Sequence, residues 1–127
     1  MASRLQLGPH FAIEEFDCHS GALVPGSAID ALTFLVRNTL EPLRSAFGAI
    51  HIDSGYRTPA QNGLVGGAID SRHLYDAFPH TPAVDFHSES SSTRDLLRWL
   101  SLRLSAAGLG YYTTHIHLDL RTQKARW

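Results

Sequence analysis

Cysteine is nearly missing from this 127-residue sequence, which contains only Cys18 and no Cys-x-x-Cys pair. That scarcity excludes an intramolecular disulfide and a thiolate metal site, so any metal must be held by histidine and carboxylate. Charge of one sign is not in excess either, because 11 Lys and Arg residues face 12 Asp and Glu residues. The formal net charge of -1 gives no reason to expect a nucleic-acid partner.

Long apolar runs are also lacking. No stretch approaches the roughly 20 apolar residues of a membrane span, so we expect no membrane partner. The N-terminal stretch MASRLQLGPH has neither the apolar core nor the cleavage site of a signal peptide. We therefore expect cytoplasmic synthesis, with any export depending on another factor.

The composition is otherwise that of a globular protein, with 43% apolar and 18% charged residues, and it includes eight histidines. The length predicts one domain over residues 1–127 with a single core. Residues 1–26 are interpreted as an irregular arm whose apolar side chains pack on that core. Ser27 is the expected N-cap of a long helix over 28–47, which Pro42 should kink or split.

The rest of the chain is expected to alternate between strands and shorter helices. The predicted order is a strand at 49–53, a short helix capped by Thr58, a loop at 66–73, a strand at 83–87, a helix at 93–107 stopped by Gly108, and strands at 109–112 and 115–120. Because the strands cluster toward the end, we predict an α+β fold, with a small antiparallel sheet and helices packed on one side.

Metal-type ligands alternate with apolar residues in two of these strands, AVDFH and HIHLDLR. Successive side chains of a strand point to opposite faces, so the ligand types should line one face of the sheet. A catalytic zinc site takes three ligands from His, Asp or Glu and leaves a position for water. His73, Asp85 and His117 could supply that set from a loop and two strands.

Five stretches together resemble the M15 peptidases: SGYRTPAQN, SRHLYD, AVDFH, HIHLDLR and the terminal ARW. These are zinc D-Ala-D-Ala carboxypeptidases and peptidoglycan endopeptidases of phages and bacteria, which share a fold with hedgehog and lysostaphin. The resemblance implies Zn²⁺ bound by His73, Asp85 and His117. It also implies that Arg57 faces a carbonyl or carboxylate of the substrate, which its planar guanidinium suits.

The spacing of the ligands departs from the family pattern. About six residues usually separate the first histidine from the aspartate, whereas eleven intervene here, from Leu74 to Val84. We interpret residues 76–82 as an insertion that forms an extra loop over the cleft. His80 would then be a stray ligand or a substrate contact.

The family's usual general base is missing as well. Many members have a glutamate three residues before the last ligand, and this position is Thr114. A threonine hydroxyl cannot take up a proton at neutral pH. His115 is the candidate for base or electrophile, since lysostaphin-type sites use a His-x-His pair, but it could equally be a supporting or solvent-facing residue.

Other polar residues near the ligands have two readings each. Asp119 could orient a ligating histidine through its other ring nitrogen, or it could pair with Arg121 or Arg57. His87 is either a spare ligand or a solvent-bonded residue at the strand end.

Two further residues are expected in supporting roles. Ser71 should brace the backbone of the loop that carries His73. Tyr56 either packs in the protein or binds a peptide stem at the cleft edge.

Taken together, these features predict a zinc metallopeptidase that cleaves peptidoglycan stem peptides with metal-activated water. The bond would be D-Ala-D-Ala or an L-Ala-D-Glu type, and the resemblance does not choose between them. The expected place of action is the bacterial cell wall, as a phage lysis protein or within a virion, where other virion proteins would be partners. The alternative is a catalytically weak wall-binding or structural module, such as a domain of a phage tail tip.

Overall fold

A short hairpin opens the chain in the computed structural model, which describes residues 2–127. Strands β1 (Gln6–Gly8) and β2 (Phe11–Ala12) pair antiparallel, and a 3-10 turn (Ile13–Phe16) follows. The prediction of an irregular arm is therefore wrong for this part. The predicted packing of its apolar side chains on the core is confirmed, since Phe11, Ile13 and Phe16 are buried there, and the hairpin pairs the backbone polar groups of this segment.

The predicted long helix is present, but its irregularity lies before Pro42 rather than at it. Helix α1 (Ile29–Leu35) passes through a π-helical turn (Val36–Leu40) into α2 (Glu41–Phe47). The Glu41 amide donates to the Val36 carbonyl, five residues back. Proline has no N–H and its ring clashes with the carbonyl four residues earlier, so a widened turn is a physical way to keep the helix continuous.

Ser27 does not cap this helix, contrary to the prediction. It lies inside a 3-10 turn (Gly26–Ala28) that begins after Pro25, and no side chain caps α1. The fixed φ of proline favours such a turn, and the Ala28 amide donates to the Pro25 carbonyl at 3.0 Å. Backbone groups thus replace the expected hydroxyl.

The remaining elements build the main sheet and its cover. In chain order they are β3 (Ile50–Ser54), α3 (Pro59–Leu64), β4 (Val84–Ser88), α4 (Thr93–Arg103), β5 (Gly108–Tyr111), β6 (Ile116–Asp119) and β7 (Ala125–Arg126). The sheet order is β3-β4-β6-β5-β7, antiparallel except for the parallel pair β5 and β7. This confirms the α+β fold class, and the parallel edge strand is an addition that the sequence did not suggest.

The two faces of the sheet differ sharply. Val84, Phe86, Ile116 and Leu118 on β4 and β6 are fully buried in the core beneath the helices. Because strand side chains alternate, the residues between them emerge on the opposite face. That face carries the polar residues of both strands and forms the floor of the candidate site.

Helix α4 begins as predicted but ends early. The Ser92 hydroxyl caps it by accepting from the Asp95 amide. The helix stops at Arg103, and Gly108 is the first residue of β5, so its predicted role as a stop is wrong. Arg126 explains the early end, because its guanidinium donates to the carbonyls that follow the helix, those of Leu104, Ala106 and Ala107.

None of the helices within residues 2–127 has both the length and the apolar character needed to cross a bilayer.

Candidate metal centre

Three predicted ligands meet at one end of the polar face. His73 comes from the loop after α3, whereas Asp85 on β4 and His117 on β6 are direct cross-strand partners. His73 Nε2 lies 3.1 Å and His117 Nδ1 3.2 Å from Asp85 Oδ1. All three residues are buried, and one ligand atom of each lies within 4.8 Å of the others. They could therefore bind a single cation together.

The hydrogen bonds of the two imidazoles fit such an ion. His73 Nδ1 lies 2.6 Å from the Gly55 carbonyl, which can only accept, so Nδ1 carries the hydrogen. His117 Nε2 lies 2.8 Å from Asp119 Oδ2 and donates to that carboxylate. Each ring thereby carries a hydrogen on the nitrogen turned away from Asp85, so the nitrogen that faces Asp85 is the one that a metal could bind in place of a proton.

Asp119 is itself firmly held. It is completely buried, and Arg121 donates to its two oxygens from Nε and Nη2, both at 2.7 Å. Burial alone would raise the pKa of Asp119, but the hydrogen bonds from Arg121 and His117 outweigh burial and keep the pKa below its ordinary value. Both suggested roles of Asp119 are thus found together, because it contacts a candidate ligand and an arginine at once.

The charge state of the cluster also suits a cation. Burial would raise the pKa of Asp85, but hydrogen bonds from His117 and His73 overcome this and hold the pKa below its usual range. Burial lowers the pKa of His117, whereas Asp119 and Asp85 raise it more, so the net shift is upward. Asp85 is therefore ionised at neutral pH, and a metal would compete with a proton at His117.

The loop carrying His73 is tied down at several points. The Ser71 hydroxyl accepts from the His73 amide at 3.2 Å, which is the bracing contact expected of it. The Arg57 amide donates to the His73 carbonyl at 2.8 Å. Tyr75 is fully buried and donates to the Ala83 carbonyl, so the loop is fixed to the start of β4.

Arg57 lies against the cluster. Its Nη2 is 3.5 Å from Asp85 Oδ2, and its Nη1 is 3.4 Å from the side-chain oxygen of Asn62. Asn62 is buried and donates in turn to the Ala68 carbonyl. The guanidinium is therefore held beside the candidate ligands at moderate distances, with donors left for a substrate oxygen.

His115 stands at the mouth of the site, just before β6 begins. Its Nε2 lies 4.0 Å from Asp85 Oδ2, and its side chain is 28% exposed. The ring stacks on Tyr112 with 4.5 Å between ring centroids, and Nδ1 lies 2.9 Å from the Thr114 hydroxyl. This placement leaves Nε2 available for proton transfer without making His115 part of the ligand cluster.

Two aromatic residues, Tyr112 and Trp127, complete the wall of the cleft. The Trp127 ring lies 4.9 Å from the His117 ring, and its Nε1 donates to the Tyr112 hydroxyl at 3.0 Å. Gly110 makes this approach feasible, because a Cβ there would lie 2.6 Å from Trp127 Nε1. A glycine inside a strand was the available signal, since it marks a close approach of other groups.

Together these residues surround a cleft of about 510 Å³ that opens over the cluster. A sequence profile described as Peptidase M15 matches residues 9–119. The chain belongs to the peptidase M15 family. This confirms the resemblance seen in the sequence motifs, and the metal dependence of M15 peptidases agrees with the donor set of His73, Asp85 and His117. No individual curated protein matches the chain.

Residues 76–82, the predicted insertion, do not cover the cleft. None of residues 76–82 lines it, so the predicted covering loop is wrong. His80 instead lines a separate groove beside Phe34, which removes it from the site. Asp76 in this segment accepts a 2.5 Å hydrogen bond from Tyr56, which does not line the cleft either.

Tyr56 and His87 lie outside the cleft as well. Tyr56 is buried, and burial together with Asp76 raises its pKa to about 12, so it remains protonated. His87 follows Asp85 on the same face of β4, but its ring contacts Asp53 at 2.8 Å and Glu89 at 3.1 Å. Neither the spare-ligand reading nor the solvent reading describes His87, because its partners are carboxylates.

Proposed function

We propose that this M15 peptidase is zinc-dependent and cleaves the peptide stems of bacterial peptidoglycan. The observation that carries the proposal is the buried cluster of His73, Asp85 and His117, whose ligand atoms lie within 4.8 Å of one another beneath an open cleft. A set of two histidines and one carboxylate that leaves a coordination position free is typical of catalytic rather than structural zinc sites.

A zinc ion held by these three residues would supply a water with a pKa lowered to about 7 and a Lewis acid for the scissile carbonyl. Arg57 binds the carbonyl oxygen and stabilises the negative charge that develops there. His115 accepts a proton at Nε2 and delivers it to the leaving amine. Asp119 and the Gly55 carbonyl keep the two ligating imidazoles in the required tautomers.

The substrate follows from the family and from the openness of the cleft. M15 peptidases act on peptidoglycan stems, and an open cleft accommodates a branched chain. Both a terminal D-Ala-D-Ala bond and an L-Ala-D-Glu bond fit the proposal. The enzyme would work at the bacterial wall, during phage lysis or as part of a virion alongside other virion proteins.

Digestion of purified peptidoglycan tests this function. The zinc-loaded protein should release new amino groups, a chelator should abolish the release, and added zinc should restore it. Mass spectrometry of the soluble fragments identifies the bond. If no amines appear under any of these conditions while the protein is folded and holds zinc, the enzymatic proposal fails.

One observation favours a second candidate, a wall-binding module without strong catalysis. Thr114 occupies the position of the family glutamate, and the carboxylates lining the cleft are Asp70 and the candidate ligand Asp85. A binding module should sediment with peptidoglycan and release no amines, with or without chelator. The same digestion therefore separates the two candidates.

A further inference from the structure

The cleft contains three arginines that differ in what neutralises them. Arg57 lies 3.5 Å from Asp85, and Arg121 makes two 2.7 Å bonds to Asp119. Within residues 2–127, the Arg72 side chain makes no ion pair, and its only hydrogen bond runs from Nη1 to the Asp70 carbonyl at 3.2 Å. Arg72 is thus the cleft arginine whose charge and donors are not committed to a carboxylate.

Arg72 is nevertheless held in place. Its Cζ lies 4.0 Å from the ring centroid of Phe78, a cation–π contact. Its Nε is buried and has no acceptor within residues 2–127. Phe78 belongs to residues 76–82, so this predicted insertion contacts a cleft residue although it does not line the cleft.

A second groove continues from the cleft at this point. It has a volume of about 230 Å³ and shares Arg72 and Arg121 with the metal cleft. Its remaining lining residues are Thr122, Gln123, Lys124 and Ala125. No carboxylate lines this basic groove, so it should attract negative charge.

Asp70 is a second acidic residue near this region, since its carbonyl accepts from Arg72, and it does not cancel the effect. It is exposed on the cleft rim and acts on Arg121, whose pKa it helps to raise after the larger contribution of Asp119. Water screens an exposed carboxylate well. The side of Arg72 toward Lys124 therefore remains cationic.

We infer that Arg72 and Lys124 form a subsite for a free carboxylate of the peptide substrate, and that Phe78 positions the Arg72 guanidinium. The inference rests on the proposed function and deepens it, since it selects substrates that carry a negative charge near the scissile bond. A guanidinium supported by an aromatic ring presents a planar pair of donors, which matches a carboxylate.

Matched peptides test the inference. One pair is the stem L-Ala-γ-D-Glu-L-Lys-D-Ala-D-Ala and its form with D-isoglutamine in place of D-glutamate, and a second pair differs only in a C-terminal acid or amide. Replacing a carboxylate that binds Arg72 should raise KM about tenfold or more in the wild type. Arg72→Gln should weaken the acid form by a similar factor and leave the amide form nearly unchanged.

Further variants test the charge of residue 72 separately from its positioning by Phe78. Arg72→Lys and Phe78→Leu should give intermediate increases in KM for the acid form at unchanged kcat, because they retain the charge or the apolar support. Lys124→Gln should weaken the acid form less than Arg72→Gln does. Arg98→Gln, which removes an exposed arginine on α4, is the control and should behave as wild type.

Binding of the same peptides to metal-free protein, measured by calorimetry, makes the result independent of catalysis. Preference for an acid form that disappears in Arg72→Gln supports the subsite even if no bond is cut, in which case only the proposed function fails. Equal loss of both forms in Arg72→Gln, or no discrimination by the wild type in either pair, overturns the subsite.

Discussion

Replacing Asp119 by asparagine tests how the site is prepared for a metal. Asp119 accepts from His117 Nε2 and from Arg121 in a fully buried position. Asparagine has nearly the same size, but an NH2 group replaces one of the two oxygens. This NH2 group must face either the Arg121 guanidinium, which is itself a donor, or Nε2 of His117. Donation to Nε2 would move the imidazole hydrogen to Nδ1, the atom that faces Asp85.

The size of the effect can be worked out from this change. Loss of a carboxylate that orients a ligating histidine usually lowers metal affinity about 10–100-fold. This corresponds to about 1.4–2.7 kcal/mol, and the stabilisation that zinc gives the fold falls by the same amount. For a domain of this size the zinc-induced rise in Tm should therefore shrink by about 5–10 °C.

The assay measures zinc affinity by competition with a chromophoric chelator, and Tm with and without zinc. The difference between the Tm values with and without zinc is compared between variant and wild type, so any destabilisation of the metal-free protein by asparagine cancels. Asp30→Asn is the matched control, because Asp30 is exposed on α1, far along the chain from the site. Zinc affinity of Asp119→Asn equal to that of the wild type would refute the reasoning.

Three further predictions follow from the same geometry. His115→Ala should retain zinc and lose turnover about a hundredfold or more, as measured by amine release and metal analysis; loss of zinc would instead place His115 among the ligands. In metal-free protein, the lowered pKa values of Asp85 and Asp119 stabilise the fold above about pH 4, and this contribution is lost as pH falls further. With chelator present, the urea midpoint should fall less between neutral and acid pH for Asp119→Asn than for wild type. An equal fall in both proteins would contradict this. Gly110→Ala should displace the Trp127 indole, change its fluorescence and destabilise the protein by about 1–3 kcal/mol, whereas an unchanged spectrum would count against the close contact.

The strands and the candidate ligands were predictable because their pattern is local. Alternation in AVDFH and HIHLDLR fixes which side chains share a face, so Asp85 and His117 follow directly once two strands are expected. The predicted strand bounds agree with β3, β4, β5 and β6 to within about two residues. The cap at Thr58 was also readable, since its hydroxyl accepts from the Gln61 amide.

Features that depend on distant partners were not predictable. The early end of α4 involves Arg126, which lies more than twenty residues away from Arg103. The hairpin before residue 16 depends on the distant core residues against which its apolar side chains pack. An insertion at 76–82 is a prediction from spacing, whereas the contact between Phe78 and Arg72 could not be predicted from it. For Asp119, the sequence was compatible with two roles, orienting a ligating histidine or pairing with an arginine. It did not decide between Arg121 and Arg57 as that arginine.

Zinc content is the measurement that tests the central claim most directly. Elemental analysis of the purified protein should find about one zinc ion per chain, and the metal should be lost in His73→Ala, Asp85→Ala and His117→Ala while each variant remains folded. X-ray absorption at the zinc edge should show only nitrogen and oxygen ligands. Stoichiometric zinc in His117→Ala, or no zinc in the wild type after reconstitution, would contradict the account.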